Sequence, residues 1–200
     1  MNSFKINTNF DNYQKEFLVQ NSITNLISKN EEKYLFEKHI YDSLSIKLFF
    51  EEYKFVPETL LDIGTGGGFP SVPIAMEYPK ISVYAIDSIR KKINAVQNIA
   101  DKLELKNLYL INDRVENIRN QTFDVITSRA VGRIASLVEY AYPILNKGGY
   151  IILYKSKTSD EEISEAKDII RKYHLKIKPP IEYTLPLEEI YTRRLVILEK

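Results

Sequence analysis

The chain has 200 residues with a formal net charge of +1, 44% of them hydrophobic and 28% charged. That suffices for one α/β domain with a real core and excludes a disordered chain. Cysteine is absent and the only histidines are His39 and His174, which excludes disulfides, thiolate zinc and cysteine nucleophiles and argues against a histidine-rich metal site; no metal is expected. No apolar run approaches the ~18 residues that span a bilayer. The opening MNSFKINTNFDNY lacks the apolar stretch of a secretory signal. The expectation is a soluble, cytoplasmic, monomeric protein with no membrane contact.

Phe10, Tyr13, Phe17 and Leu18 predict a helix from Phe10 to about Leu26, capped by Asn9 or Asp11. Asn21 to Asn30 reads as a break and Glu31 to Lys38 as a short helix. His39 to Leu44 leads into another, with Leu44, Leu48 and Tyr53 or Phe55 on one face, ended by Pro57. Residues 1–56 are thus expected to form a strandless helical cap within the same domain as a core of residues 57–200.

From Glu58 strands and helices alternate. Strands are predicted at Thr59–Ile63, Ile81–Ile86, Leu108–Ile111, Phe123–Thr127 and Tyr150–Tyr154. Helices are predicted from Val72 to Glu77, from Ile89 to Leu103, from Ile134 to a stop at Gly148-Gly149, and from Ile163 to Tyr173. Leu175–Tyr183 and Leu195–Leu198 close the chain as two strands without a helix between them. Repeated βα units imply a parallel sheet with right-handed crossovers, and the last pair adds an antiparallel strand.

The stretch Leu60-Leu61-Asp62-Ile63-Gly64-Thr65-Gly66-Gly67-Gly68-Phe69-Pro70 organises the rest. It reads as a buried strand, a glycine turn and a helix start, which lets backbone approach a nucleotide-like ligand. Its Gly-x-Gly-x-Gly pattern departs from the dinucleotide fingerprint. Asp87 closes the next strand about 20 residues on, where a carboxylate can bind both ribose hydroxyls of an adenosine. Such ligands lie beyond the carboxyl ends of the strands. Asp62 and Gly64, Asp87, the segment Asn112 to Glu116, and Ser128-Arg129 occupy four such ends.

Four segments carry a family resemblance: DIGTGGGFPSVPIA, DSIRKK, RVEN after strand three and SRAV after strand four. They resemble the bacterial 16S rRNA guanine-N7 methyltransferases, the glucose-inhibited division protein B family. ITNLISKN with KHIYDSLS is similar to that family's N-terminal signature. Ser71 and Ser156 stand where glycine is usual. The resemblance implies an α/β, Rossmann-like, seven-stranded and mostly parallel sheet. It implies S-adenosyl-L-methionine as methyl donor, held by Gly64, Phe69, Val115, Glu116 and Arg129. The turn itself adds Gly66, and the strand end adds Asp87. The implied substrate is the guanine conventionally numbered 527, in 16S rRNA or the small ribosomal subunit.

Guanine N7 needs no general base, because its in-plane lone pair carries no proton. Neither histidine falls on a strand end, and no Asn/Asp-Pro-Pro-aromatic motif follows strand four. Arg129 is the leading catalytic candidate, able to touch donor, guanine or phosphate. Despite the neutral total, Arg90, Lys91, Lys92, Arg133, Lys155, Lys157, Arg193 and Arg194 fall at ligand-side strand ends and form an expected RNA-binding rim. His39 and Asp42 read as a structural pair. The alternatives are a methyltransferase of small molecules or proteins, and a non-catalytic nucleotide- or RNA-binding module.

Overall fold

The computed structural model describes residues 4–130 and 132–200, so Val131 of the SRAV segment and Met1 to Ser3 lie outside the described residues. The cap comprises α1 (Asp11–Thr24), α2 (Lys29–Glu32), a π-type turn (Leu35–Tyr41), α3 (Asp42–Leu44) and α4 (Ile46–Tyr53). The core runs β1 (Thr59–Ile63), α5 (Ser71–Glu77), β2 (Ser82–Ile86), α6 (Arg90–Lys102), β3 (Leu108–Ile111), β4 (Phe123–Arg129), α7 (Ile134–Ala141) and β5 (Leu145–Ser156). It ends with α8 (Asp160–Glu165), α9 (Lys167–Lys172), β6 (Lys176–Ile177), β7 (Ile181–Leu185) and β8 (Tyr191–Glu199).

The sheet order is β3-β2-β1-β4-β5-β8, with β6 and β7 both on the outer edge of β8. β1 to β5 are parallel and β8 runs antiparallel to β5. The predicted strand Leu175–Tyr183 is therefore an edge strand in two pieces. Pro179 and Pro180 separate the pieces, because proline removes a ladder donor and survives only at such edges. Counting the pieces as one gives seven strands.

The predicted helix from Ile134 stops at Ala141, ahead of Pro143, instead of at the glycines. Gly148 and Gly149 lie inside β5. A β-carbon on Gly149 would meet the Asp124 carbonyl oxygen at 2.8 Å, so these glycines permit the irregular crossing of β5 over β4. The predicted helix Ile163–Tyr173 is broken at Ala166, which is buried between α8 and α9.

Alternate residues of each strand feed two cores, as the two-residue side-chain period requires. Leu60, Val83, Val125, Ile152 and Ile197 pack under the cap, α5 and α6. Leu61, Ile86, Ile126, Ile151 and Val196 pack against α7 and α9. Phe10, Tyr13, Phe17, Leu44 and Phe49 belong to the first cluster, so the cap's apolar face is continuous with the core. The cap is also pinned by polar bonds. Glu77 accepts from the Asn7 and Thr8 amides at 3.1 and 3.0 Å and pairs with Lys47. Tyr154 donates to the Ser43 carbonyl at 2.7 Å.

Candidate active site

The glycine turn follows β1 because three of its residues adopt positive φ: Gly64 at 71°, Gly66 at 57° and Gly68 at 88°. The Gly64 and Thr65 amides continue the ladder by donating to the Ile86 carbonyl at 2.9 and 3.1 Å. Ser71 bonds the Thr65 hydroxyl at 2.6 Å and closes the turn onto α5. Asp87 accepts from the Gly66 amide at 2.9 Å and from the Ile89 amide at 2.9 Å. It therefore braces the turn while standing at the end of β2.

Three clefts run along the carboxyl ends of the strands. The first, about 340 Å³, has Ile63, Ile86, Val115 and Leu137 as apolar walls, with Gly64, Asp87 and Glu116 at its rim. Val115 and Glu116 begin a short 3-10 turn (Val115–Asn117) after β3. The second, about 680 Å³, is bounded by Gly64 to Gly67, Phe69, Asp87, Lys92 and Arg129 from the core, and by Leu26, Glu31 and His39 from the cap. Gly64 and Asp87 are common to both, so one elongated ligand can occupy them together. The third, about 230 Å³, shares Glu31, His39, Arg129 and Ala130 with the second and continues to Leu185 and Tyr191 of the β7–β8 hairpin.

Arg129, at the end of β4, sits where the second and third clefts meet. Its guanidinium donates to the Lys38 carbonyl at 3.1 Å and to Asp42 Oδ2 at 3.1 Å, and contacts His39 Nδ1 at 2.9 Å. It stacks 5.0 Å from the centre of the Phe69 ring. Asp42 is buried and takes four donors. Tyr183 (2.6 Å) and Arg193 Nε (3.1 Å) bond Oδ1, while Arg129 (3.1 Å) and a second Arg193 nitrogen (3.3 Å) bond Oδ2. Burial pushes its carboxyl up. The charges of Arg193 and Arg129 and the Tyr183 bond outweigh burial and hold it below the ordinary carboxylate range. His39 is pushed down to about 4, first by burial and then by Arg129, so its ring is neutral at pH 7.

The structure corrects several expectations. His39 and Asp42 are not bonded to each other; both hold Arg129. Asp62 is fully buried in β1, bonded to Thr127, and bounds none of the three clefts. Phe69 has one face on the second cleft, but it is 3% exposed and packs mainly on Phe17 and Tyr13. Arg193 and Arg194 do start β8 beside the end of β5, yet neither is a free cation. Arg193 is bound to Asp42, and Arg194, 9% exposed, pairs with Asp160 at 2.6 Å and Glu182 at 2.9 Å. Lys155 is likewise held by Glu162 at 2.7 Å. Arg90, Lys91, Lys92 and Arg133 remain open to solvent at least in part. The sequence places Glu31 on a short charged helix, which gives no sign that it faces a cleft or that a π-type turn follows.

Clefts of this kind, with apolar walls, one acid at a strand end and a glycine turn between them, suit a nucleoside ligand with a charged tail. The fold agrees with a methyltransferase from Pyrococcus furiosus, which matches 96% of this chain and 99% of its own at TM-score 0.64 and 21% identity. Fold and site define an S-adenosylmethionine-dependent methyltransferase of the Rossmann-like class. The family model for rRNA small subunit methyltransferase G matches residues 6–178. Ribosomal RNA small subunit methyltransferase G of Lachnoclostridium phytofermentans is 36% identical across 96% of this chain and 80% of its own. That of Staphylococcus saprophyticus is 34% identical across the same shares. The chain belongs to the rRNA small subunit methyltransferase G family.

Proposed function

We propose that this protein transfers a methyl group from S-adenosylmethionine to N7 of a guanine in 16S rRNA, in the cytoplasm and as a monomer. The observation that carries the reading is Arg129, held at the junction of a donor-sized double cleft and a third cleft open to substrate. Gly64, Gly66, Asp87, Val115 and Glu116 would hold the donor, with one face of Phe69 and Arg129 at its far end. Their arrangement fits such a group. A β-carbon direction at Gly66 meets only the Gly64 carbonyl oxygen, at 3.9 Å, so the turn is open on that side. When bound, the donor supplies an electrophilic sulfonium methyl.

The chain's own contribution is positioning and exclusion of water. Asp87 orients the ribose and keeps the glycine turn in place. Arg129 is the catalytic residue in the sense that it faces the reacting groups, and its cation–π contact and three polar bonds fix it there. His39 Nδ1 is occupied by Arg129, and the ring resists protonation, so His39 does not serve as a base. N7 requires none. Among the described residues no cluster of three or more His, Asp or Glu could hold a metal ion. RNA approaches across Arg90, Lys91, Lys92 and Arg133.

The test uses labelled S-adenosylmethionine with small ribosomal subunits lacking the modification, with naked 16S RNA and protein-only controls alongside. Chemical cleavage at 7-methylguanine maps the site. One cleavage in the RNA supports the reading. Donor binding without label in RNA refutes it and favours a small-molecule acceptor or a binding module.

A further inference from the structure

The Arg129 guanidinium can only donate, so His39 Nδ1 must accept from it. A neutral imidazole then carries its proton on Nε2. Burial and the adjacent guanidinium keep the ring neutral, so this tautomer persists at physiological pH. Nε2 is buried and has no hydrogen-bond partner among the described residues. The nearby Glu31 Oε1 lies 3.9 Å away, beyond bonding distance. Glu31 is 42% exposed in its side chain and is anchored through its other oxygen, which accepts from Ser28 at 3.0 Å. Both residues border the second and third clefts beside Arg129. The cap thus places one donor and one acceptor side by side on the wall that the second and third clefts share with Arg129.

We propose that His39 and Glu31 read the Watson–Crick edge of the target guanine, with His39 Nε2–H donating to O6 and the Glu31 carboxylate accepting from N1–H. The proposal rests on guanine N7 as the methyl acceptor. It leaves N7 free, because both contacts fall on the other side of O6. It also rejects adenine, whose 6-amino group would face a donor and whose bare N1 would face a carboxylate. An unpartnered buried donor is costly, so a base that satisfies it is favoured over one that cannot.

The test pairs two bases with three proteins. Small ribosomal subunits are assembled from 16S RNA carrying either guanine or 2-aminopurine at the target. The latter keeps N7 but lacks O6 and N1–H. The unaltered protein, Glu31→Gln and His39→Phe are compared by kcat/KM, with donor affinity measured by calorimetry. The expected result is a penalty for 2-aminopurine that shrinks by about tenfold or more in each variant. A general loss of fold or of Arg129 position would lower both substrates together and leave the ratio unmoved. The same penalty in all three proteins overturns the assignment. Failure of the unaltered protein to methylate N7 of guanine refutes the underlying reading instead, and is seen in a separate arm.

Discussion

Asp42 carries more of the site than any other single residue, because one carboxylate balances both Arg129 and Arg193. Asp42→Ala would leave two guanidinium groups in a buried place without a counter-charge. It should destabilise the protein by about 3–5 kcal/mol, read as a fall in the denaturant midpoint; a midpoint within error of the unaltered protein would show the cluster to be dispensable. Because the folded carboxyl lies below its ordinary value, this stabilisation is present above about pH 4 and is lost as pH falls through the folded value. Asp62 behaves in the opposite sense. Burial raises it to about 6, against hydroxyls of Thr65 and Thr127 and the charge of Arg129. The folded state therefore binds more protons than the unfolded one between about pH 4 and 6, and stability falls as pH rises through that window. Asp62→Asn should gain on the unaltered protein by up to about 3 kcal/mol between pH 4.5 and about 7.5; a pH-independent difference would contradict the shift. Asp87→Ala should weaken donor binding by about 1–3 kcal/mol in calorimetry, and unchanged affinity would remove Asp87 from the site.

Among the elements, the turn after β1 is the most sharply constrained. A β-carbon at Gly68 would sit 2.7 Å from Val72 and 3.2 Å from Val96, on a backbone at φ +88°, whereas Gly66 has open space. Gly68→Ala should thus cost clearly more thermal stability than Gly66→Ala, for which left-handed strain of about 1–2 kcal/mol is the main term. Equal melting temperatures would mean the turn relaxes freely. Glycine and a short apolar run make this turn and β1 legible in the sequence, since both are set within a dozen residues. The end of α7 was not, because its helical spacing runs on past Pro143. Nor were the glycines of β5, whose need for space comes from Asp124 on the neighbouring strand.

Across the whole molecule, charge divides into two populations that composition cannot separate. Arg194 neutralises Asp160 and Glu182, while Arg90 reaches the neutral Asn112 by side chain and stays exposed. Arg90→Ala should reduce the slope of log affinity against log salt for RNA by about 1. Arg194→Ala should leave that slope alone and lower the melting temperature; the reverse pattern would restore Arg194 to the RNA rim. The chain by itself determined the alternating core, the helical cap, the glycine turn, the acid on β2 and Arg129 at the end of β4, because each is written in local spacing or short motif. Only the tertiary structure decided which arginines are free, that Asp62 is sealed inside β1, and that the cap brings His39 and Asp42 onto Arg129. Those outcomes depend on pairings between residues about 90 to 150 positions apart, such as Arg129 with His39 and Arg193 with Asp42. Burial and charge neutralisation act through space, and no window of sequence contains both partners.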